Sequence, residues 1–258
     1  MAELIQLLLL GVFSGFIAGL LGVGGGLIMV PALLYLLAGN IDQAILMHTA
    51  VGTALAAIVF TSFSSVWAHH QHGAIHWQTF KKLTPMILLG AFSGAMLTKF
   101  MSFDFMRIFF AFFEFSVAII MYFGLSSSAH VNNLSKWVWR VTGAIIGLVS
   151  AIVGIGGGTM TTPFLTYNNV NIKNAIATSA AVGMPIAVAG ALGFILAGWN
   201  VSDSGFGFIH TQALFSIVVM SVLFAPLGAK VAHQVDGKKL KKFFAIFLAI
   251  LGVSVLSF

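Results

Sequence analysis

Cysteine is absent from this chain, and charged side chains are scarce. Without cysteine the chain can form no disulfide, no thiolate nucleophile and no Cys-based metal site. Charged residues make up only 7% of the 258 positions. A soluble domain carries about 25%, because water-solvated groups must cover its surface. Most of this protein's surface must therefore face hydrocarbon.

Long apolar runs take up most of the chain. Hydrophobic residues make up 59% of it, and the mean hydropathy is +1.05. A membrane-spanning helix needs roughly 20 apolar residues, and the runs lack the alternation of barrel strands. We therefore expect an all-α polytopic membrane protein with about eight hydrophobic helical segments. The runs cover residues 4–38, 43–68, 83–100, 105–125, 137–167, 174–199, 209–231 and 240–257.

Several short motifs occur twice at nearly constant spacing, between 131 and 134 residues apart. The pattern predicts two homologous four-segment repeats, residues 1–128 and 129–258, within one integral transmembrane domain. The recurring pairs include Gly22-Val-Gly-Gly-Gly26 with Gly154-Ile-Gly-Gly-Gly158, Pro31 with Pro163, Ala50-Val-Gly52 with Ala181-Val-Gly183, and Ile75-His76 with Ile209-His210.

The first segment of each predicted repeat contains the glycine run. Each glycine lowers helix stability by about 1 kcal/mol relative to alanine, so four within five residues should break the helix. A kinked single span would give four spans per half and parallel repeats. A re-entrant hairpin would give three spans per half and inverted repeats. The sequence leaves both arrangements open.

Broken helices at matching positions of two repeats indicate a transporter binding site. Backbone N–H groups freed at the break, together with the positive helix N-terminus, favour an anion. The glycines lack the final Gly of a dinucleotide motif and the Lys of a P-loop, so we expect no cofactor. The residues predicted to bind substrate are Gly22, Gly24, Gly25, Gly26, Pro31, His48, Thr49, Thr53, Gly154, Gly156, Gly157, Gly158, Thr159, Thr161, Thr162, Pro163, Thr178 and Ser179.

His48 and Glu114 are ionisable residues that lie well inside apolar segments. Polar groups at such positions usually face a bundle interior or a cavity. His48 is expected either to contact substrate and handle protons or to be a packed, hydrogen-bonded side chain. Glu114 is the only carboxylate deep in a segment, and it either relays protons or pairs with a basic neighbour. Both are proton-coupling candidates.

A histidine-rich run, His69-His-Gln-His72 with His76 nearby, raises an alternative function. Imidazole binds zinc, nickel and copper, so the cluster is compatible with a divalent-metal permease. The run lacks a neighbouring Asp, Glu or Cys, which favours an interfacial loop anchored by Trp77.

The distribution of Lys and Arg predicts an orientation. If every segment crosses once, eight basic residues fall on one side and four on the other. Basic residues concentrate in cytoplasmic connections, so both termini are expected outside. The majority group contains Lys99, Arg107, Lys173, Lys230, Lys238, Lys239, Lys241 and Lys242; the minority group contains Lys81, Lys82, Lys136 and Arg140.

The doubled glycine motifs resemble those of the sulfite exporter TauE/SafE family, also called toluene-sulfonate uptake permeases. The likeness extends to Thr178-Ser179 with Pro185, to Gly73-Ala-Ile-His-Trp77 and to Gly94-Ala95, whereas Met47-His48 departs from it.

This resemblance implies a multi-pass permease of a bacterial or archaeal cytoplasmic membrane. Its expected substrate is a small sulfur-containing anion such as sulfite or an organosulfonate. We expect gradient-driven secondary transport with the anion, protons and the lipid bilayer as partners, no nucleic acid and no enzymatic activity. A homodimer is compatible with the abundant Gly-rich helix faces.

Overall fold

The computed structural model describes residues 2–22, 24–123, 134–200, 206–232 and 237–258. The predicted repeat boundary between residues 128 and 129 lies outside these ranges. The described residues form ten α-helices and no strand, so the all-α prediction is confirmed for this part of the chain. The helices are α1 Ala2–Leu21, α2 Gly26–Leu37, α3 Gln43–Gln71, α4 Trp77–Thr98, α5 Phe103–Phe123, α6 Lys136–Val153, α7 Gly158–Tyr167, α8 Ile172–Gly198, α9 Thr211–Ala232 and α10 Gly237–Leu256.

The bundle contains both long helices and two short ones, α2 and α7. Six helices of the described part, α1, α3, α5, α6, α8 and α9, are long and apolar enough to cross a membrane. The chain is therefore a multi-pass membrane protein. By contrast, α2 has 12 residues and α7 has 10. At 1.5 Å per residue these two reach about 18 and 15 Å, roughly half of a 30 Å hydrocarbon core.

Helices α3 and α8 form the centre of the bundle and run antiparallel. Gly52 of α3 packs on Phe194 of α8, Leu55 packs on Gly190, and Ser62 lies near Gly183. Residue numbers rise along one helix as they fall along the other. The second segments of the two predicted repeats therefore cross the membrane in opposite directions.

The glycine break turns the first segment back on itself. Helix α1 runs parallel to α9, because Gly11 packs on Ile217 and Gly19 on Ala225. Helix α3 also runs parallel to α9, since Thr53 bonds to His210 and Thr61 to Ser221. With α1 and α3 pointing the same way, α2 between them must return toward the face where α1 begins. This contact pattern favours the re-entrant hairpin over the kinked span.

The second glycine break has the same geometry. Helix α6 runs parallel to α4, as the contacts of Gly90 with Ala144 and of Gly94 with Leu148 show. Helix α8 also runs parallel to α4. Gly193 of α8 packs on Ala95 near the C-terminal end of α4, and Thr178 near the start of α8 bonds to His76 at the start of α4. The half-helix α7 therefore turns back between α6 and α8.

Other glycines bring pairs of helices into backbone contact. A Cβ added to Gly15 would lie 2.5 Å from the Ser221 carbonyl oxygen, and one added to Gly19 would overlap the carbonyl oxygen of Ala225. Small residues allow such close approach between membrane helices. At these positions, glycine serves helix packing.

We predict that Gly19→Ala destabilises the protein more than Gly252→Ala. Both changes gain helix propensity, but the new methyl group at position 19 meets a backbone carbonyl that cannot rotate away. At position 252 it meets only the Phe115 ring, at 3.3–3.5 Å. Overpacking typically costs about 1–3 kcal/mol. Thermal unfolding in detergent measures the difference, and equal melting temperatures would contradict the close α1–α9 contact.

Candidate functional site

Three glycines between α1 and α2 adopt a backbone conformation that only glycine accepts readily. Gly22, Gly24 and Gly25 have φ values of 67°, 83° and 79°, and Gly154 at the end of α6 has 79°. In this left-handed region a side chain on an L-residue collides with its own backbone. The local backbone conformation therefore requires glycine at positions 22, 24, 25 and 154.

The two breaks meet each other at mid-depth. A Cβ on Gly24 would lie 2.8 Å from the Cα of Gly156, and one on Gly26 would overlap the Gly154 carbonyl oxygen. The same Gly24 position is 3.4 Å from Ile58, which lies near the middle of the 29-residue helix α3. We call this backbone contact between residues 24–26 and 154–158 the glycine crossing.

The half-helices α2 and α7 both begin at the glycine crossing and leave it in opposite directions. Their N-termini therefore lie close together. Each helix N-terminus carries about half a positive charge and several N–H groups without an intrahelical acceptor. Where two such N-termini face each other, the potential is positive and many backbone N–H donors are close together. This is the environment that favours a bound anion.

A small cavity adjoins the crossing on the side toward the end of α3. With a volume of about 10 Å³ it has room for a single water molecule. The Thr61 hydroxyl hydrogen-bonds to Ser221 Oγ at 2.8 Å, whereas the buried Ser65 Oγ has no hydrogen-bond partner among the described residues. The cavity is lined by Ala18, Gly22, Gly24, Thr61, Ser62, Ser65, Ala180 and Gly183.

Sequence reasoning did not single out Thr61, Ser62 and Ser65. Their signal is present in the sequence: three hydroxyl residues at positions i, i+1 and i+4 of an apolar helix share one face. All three are buried. They extend the polar lining from the crossing along α3.

Hydroxyl groups of α7 also lie beside the crossing. Thr159 and Thr161 have buried Oγ atoms without a hydrogen-bond partner among the described residues. The Thr161 Oγ would be 3.2 Å from a Cβ on Gly157. Thr162 donates a 2.9 Å hydrogen bond to Ser179 Oγ, which ties α7 to α8. Four of the predicted residues thus gather at or next to the glycine run.

Three other predicted hydroxyls are engaged elsewhere. Thr178 Oγ accepts a 2.9 Å bond from the backbone N–H of His76, and Thr53 Oγ accepts one of equal length from His210. These bonds hold the starts of α4 and α9 against the central helices. Thr49 donates to the Ile45 carbonyl of its own helix. Each of these hydroxyls has a packing role in this conformation.

His48 lies at a distance from the crossing. Its Nε2 is 2.9 Å from the Thr98 carbonyl oxygen, and its ring packs on Phe208. Ten residues separate His48 from Ile58, which corresponds to about 15 Å along the helix. Glu114 in α5 is fully buried, and its carboxyl oxygens have no hydrogen-bond partner among the described residues. Neither side chain lines the cavity beside the crossing.

Pro31 and Pro163 lie inside the half-helices α2 and α7. Proline has no N–H, so the carbonyl group four residues earlier loses its helical donor. In both half-helices this frees a carbonyl in the first turn, at Leu27 and at Thr159.

The histidine run does not gather into one site. The ring of His70 packs on Trp77, His72 Nδ1 lies 2.8 Å from the Ala68 carbonyl oxygen, and His69 is buried. Within the described ranges, no group of three His, Asp or Glu side chains is arranged to hold a metal ion. The metal-permease alternative therefore has no assembled site in the part of the chain that the structure describes.

Comparison with known proteins identifies relatives over almost the full length. The family model described as Sulfite exporter TauE/SafE matches residues 7–255. A "Probable membrane transporter protein" of Haemophilus influenzae is 35% identical, with 96% of each chain covered. No solved structure is significantly similar to the chain.

More distant relatives carry the same description. YdhB of Bacillus subtilis is 32% identical over 99% of this chain and 100% of its own. MJ0441 of Methanocaldococcus jannaschii is 25% identical over 98% and 97%. Each is named a probable membrane transporter protein, and none of these names states a substrate.

We predict that cysteines replacing Thr162 and Ser179 form a disulfide on oxidation. Their hydroxyl oxygens are 2.9 Å apart, close enough for two sulfur atoms to bond after small shifts. The chain has no other cysteine, so intact-mass counting of alkylated thiols reports the bond directly. The control pair combines Ser179→Cys with Thr166→Cys, one turn farther along α7. Equal cross-linking of both pairs would contradict this placement of α7.

Proposed function

Because the chain belongs to the sulfite exporter TauE/SafE family of membrane transporters, we propose that it transports a small sulfur-containing anion such as sulfite or an organosulfonate. The proposed route passes through the glycine crossing. The observation that carries this proposal is the meeting of two opposed helix N-termini at mid-depth.

The backbone of the crossing suits an oxyanion. Glycines 24–26 and 156–158 present N–H groups without side chains to block approach. An anion with several oxygen acceptors can accept from both helix ends at once, and each hydrogen bond to a charged group contributes about 1.5–3 kcal/mol. The hydroxyls of Thr159, Thr161 and Ser65 add donors around this core. A cation would meet the positive ends of both half-helices and be repelled.

The two halves, residues 1–128 and 129–258, act in this proposal as inverted repeats. The antiparallel pair α3 and α8 and the two re-entrant half-helices support that assignment. Inverted repeats around a central site allow alternating access, in which one half rocks against the other. The small cavity lies to one side of the crossing, as expected of a site opened from one face at a time.

The helix directions and the positions of the basic residues also support one orientation of the protein in the membrane. Consecutive helices run in opposite directions, so α4, α6, α8 and α10 begin on the face where α3, α5 and α9 end. Ten of the twelve Lys and Arg residues lie toward that face by their sequence positions, a sharper bias than single crossings would give. These are Lys81, Lys82, Lys136, Arg140, Lys173, Lys230, Lys238, Lys239, Lys241 and Lys242, whereas Lys99 and Arg107 lie toward the other.

Basic residues concentrate on the cytoplasmic side of membrane proteins. We therefore propose that the lysine-rich face is cytoplasmic and that both termini are outside, in a bacterial or archaeal cytoplasmic membrane. Transport is proposed to be gradient-driven, with His48 or Glu114 carrying protons at a distance from the anion.

Flux into proteoliposomes tests the function. Labelled sulfite, thiosulfate, sulfate and methanesulfonate are supplied in turn, each with a pH gradient of either sign, and nickel serves as the cation control. We expect saturable uptake of one sulfur anion that the others compete for. Uptake of nickel alone would overturn the anion proposal.

We predict that Thr161→Val lowers anion flux at low substrate concentration by about tenfold or more, because it removes a hydroxyl that would bond to a charged ligand. Valine keeps the shape of the side chain. The matched control is Thr166→Val on the same helix, since the Thr166 hydroxyl already donates to carbonyls of its own helix. Initial uptake rates compare the two, and equal rates would remove Thr161 from the site.

A further inference from the structure

A second, larger cavity opens at the lysine-rich face. It has a volume of about 370 Å³ and lies between the start of α4, the first turn of α6 and the connection from α7 to α8. Six of its side chains matter here: His76, Gln78, Lys82, Trp139, Asn168 and Asn174. We call this cavity the vestibule. It is separate from the small cavity beside the glycine crossing, and the two share no residue.

The vestibule is rich in hydrogen-bond donors and contains no carboxylate among its lining residues. Its lining residues carry amide, indole, imidazole, hydroxyl and ammonium groups, and Asn168 Nδ2 donates one hydrogen bond to the Phe164 carbonyl oxygen at 2.7 Å. The ammonium of Lys82 lies 5.8 Å from the Trp139 ring centroid, which places a positive charge next to an apolar surface. This combination suits an organic anion: the head group meets Lys82 and the amides, and the carbon part meets the indole.

At the opposite end, the repeat counterparts of three vestibule residues have different chemistry. With the repeat spacings of 131 to 134 residues, Lys82 corresponds to Ser216, Asn168 to Leu37 and Trp139 to Leu7. Charged side chains of both signs lie toward that end: Glu3, Asp42 and Asp104 are accompanied by Lys99 and Arg107, and Arg107 pairs with Asp104 at 3.0 Å. The vestibule is therefore a feature of one face, and symmetry between the halves does not account for it.

One face of α8 connects the vestibule to the crossing. Asn174 lines the vestibule, and Thr178, one turn on, accepts the backbone N–H of His76. One further turn on, Val182 is 2.9 Å from the position of a Cβ on Gly157. Eight residues from Asn174 to Val182 span about 12 Å. An anion in the vestibule would thus lie roughly two helical turns from the glycine crossing.

We propose that the vestibule is a second anion-binding site, which captures an organosulfonate at the lysine-rich face before it reaches the glycine crossing. This proposal rests on the proposed function. Lys82 supplies the charge that attracts the anion, and Trp139 selects an organic anion over an inorganic one. At about 370 Å³ the vestibule has room for such a ligand.

Thiol labelling tests the vestibule without any transport assay. A single cysteine replaces the exposed Gln78 in this cysteine-free chain, and the matched control replaces its repeat counterpart, the exposed Gln212. Each cysteine is reacted with a sulfonate-bearing methanethiosulfonate and with its trimethylammonium analogue. We expect the anionic-to-cationic rate ratio to be about tenfold higher at position 78 than at position 212.

Removal of one lysine identifies the source of the effect. Lys82→Gln should lower the rate ratio at position 78 by about threefold to tenfold. The control Lys81→Gln removes the same charge from the neighbouring residue, which does not line the vestibule, and should change the ratio less. Benzenesulfonate should slow labelling at position 78 more than sulfate does, and Trp139→Leu should abolish that difference.

The outcomes separate this proposal from the proposed function. Equal ratios at positions 78 and 212, or equal effects of Lys82→Gln and Lys81→Gln, would overturn the vestibule site even in a protein that transports anions. Sulfonate-protected labelling in a protein that takes up no sulfur anion would support the vestibule and overturn the proposed transport function. With both intact, Lys82→Gln should lower uptake at low organosulfonate concentration about threefold or more in proteoliposomes whose lysine-rich face points outward, with Lys81→Gln near wild type.

Discussion

Every other feature of this protein depends on how it accommodates two broken helices within hydrocarbon. A break exposes backbone N–H and C=O groups where no water can satisfy them. Here each break is placed against the other, and Gly24, Gly26, Gly154 and Gly156 allow the two backbones to touch. A single β-carbon at Gly26 would separate them. The central helices α3 and α8, the tight α1–α9 and α4–α6 pairs and the half-helices all surround this contact.

The charge distribution makes the two ends of the helix bundle different. The crossing itself joins two helix N-termini and is nearly symmetric, whereas the two ends of the bundle are not. Ten of the twelve basic residues and the vestibule lie at one end, whereas Glu3, Asp42 and Asp104 lie toward the other together with Lys99 and Arg107. A field of this kind concentrates anions at one mouth. In our proposal, the anion site at the glycine crossing and the vestibule that captures the anion depend on the same charge distribution.

Much of the candidate site was predictable from short patterns, and some of it was not. The doubled glycine runs predicted the breaks because glycine disfavours a helix wherever it occurs. Thr61, Ser62 and Ser65 were overlooked because a hydroxyl in a span commonly bonds its own helix, as Thr49 does here. His48 and Glu114 stood out as rare polar residues, but rarity carries no information about position. Packing places His48 against Thr98 and Phe208, well away from the crossing.

The amino-acid sequence by itself determined the class of the protein: its apolar runs require membrane helices, and its glycines require two of them to break. Only the tertiary structure decided which way the chain continues after each break. A break depends on local backbone preference, whereas the return of α2 and α7 depends on contacts between distant residues, such as Gly11 with Ile217 and Leu55 with Gly190. Because of those contacts α8 runs antiparallel to α3, and the two glycine runs lie against each other. Lys99 and Arg107 therefore lie at the face opposite the other basic residues.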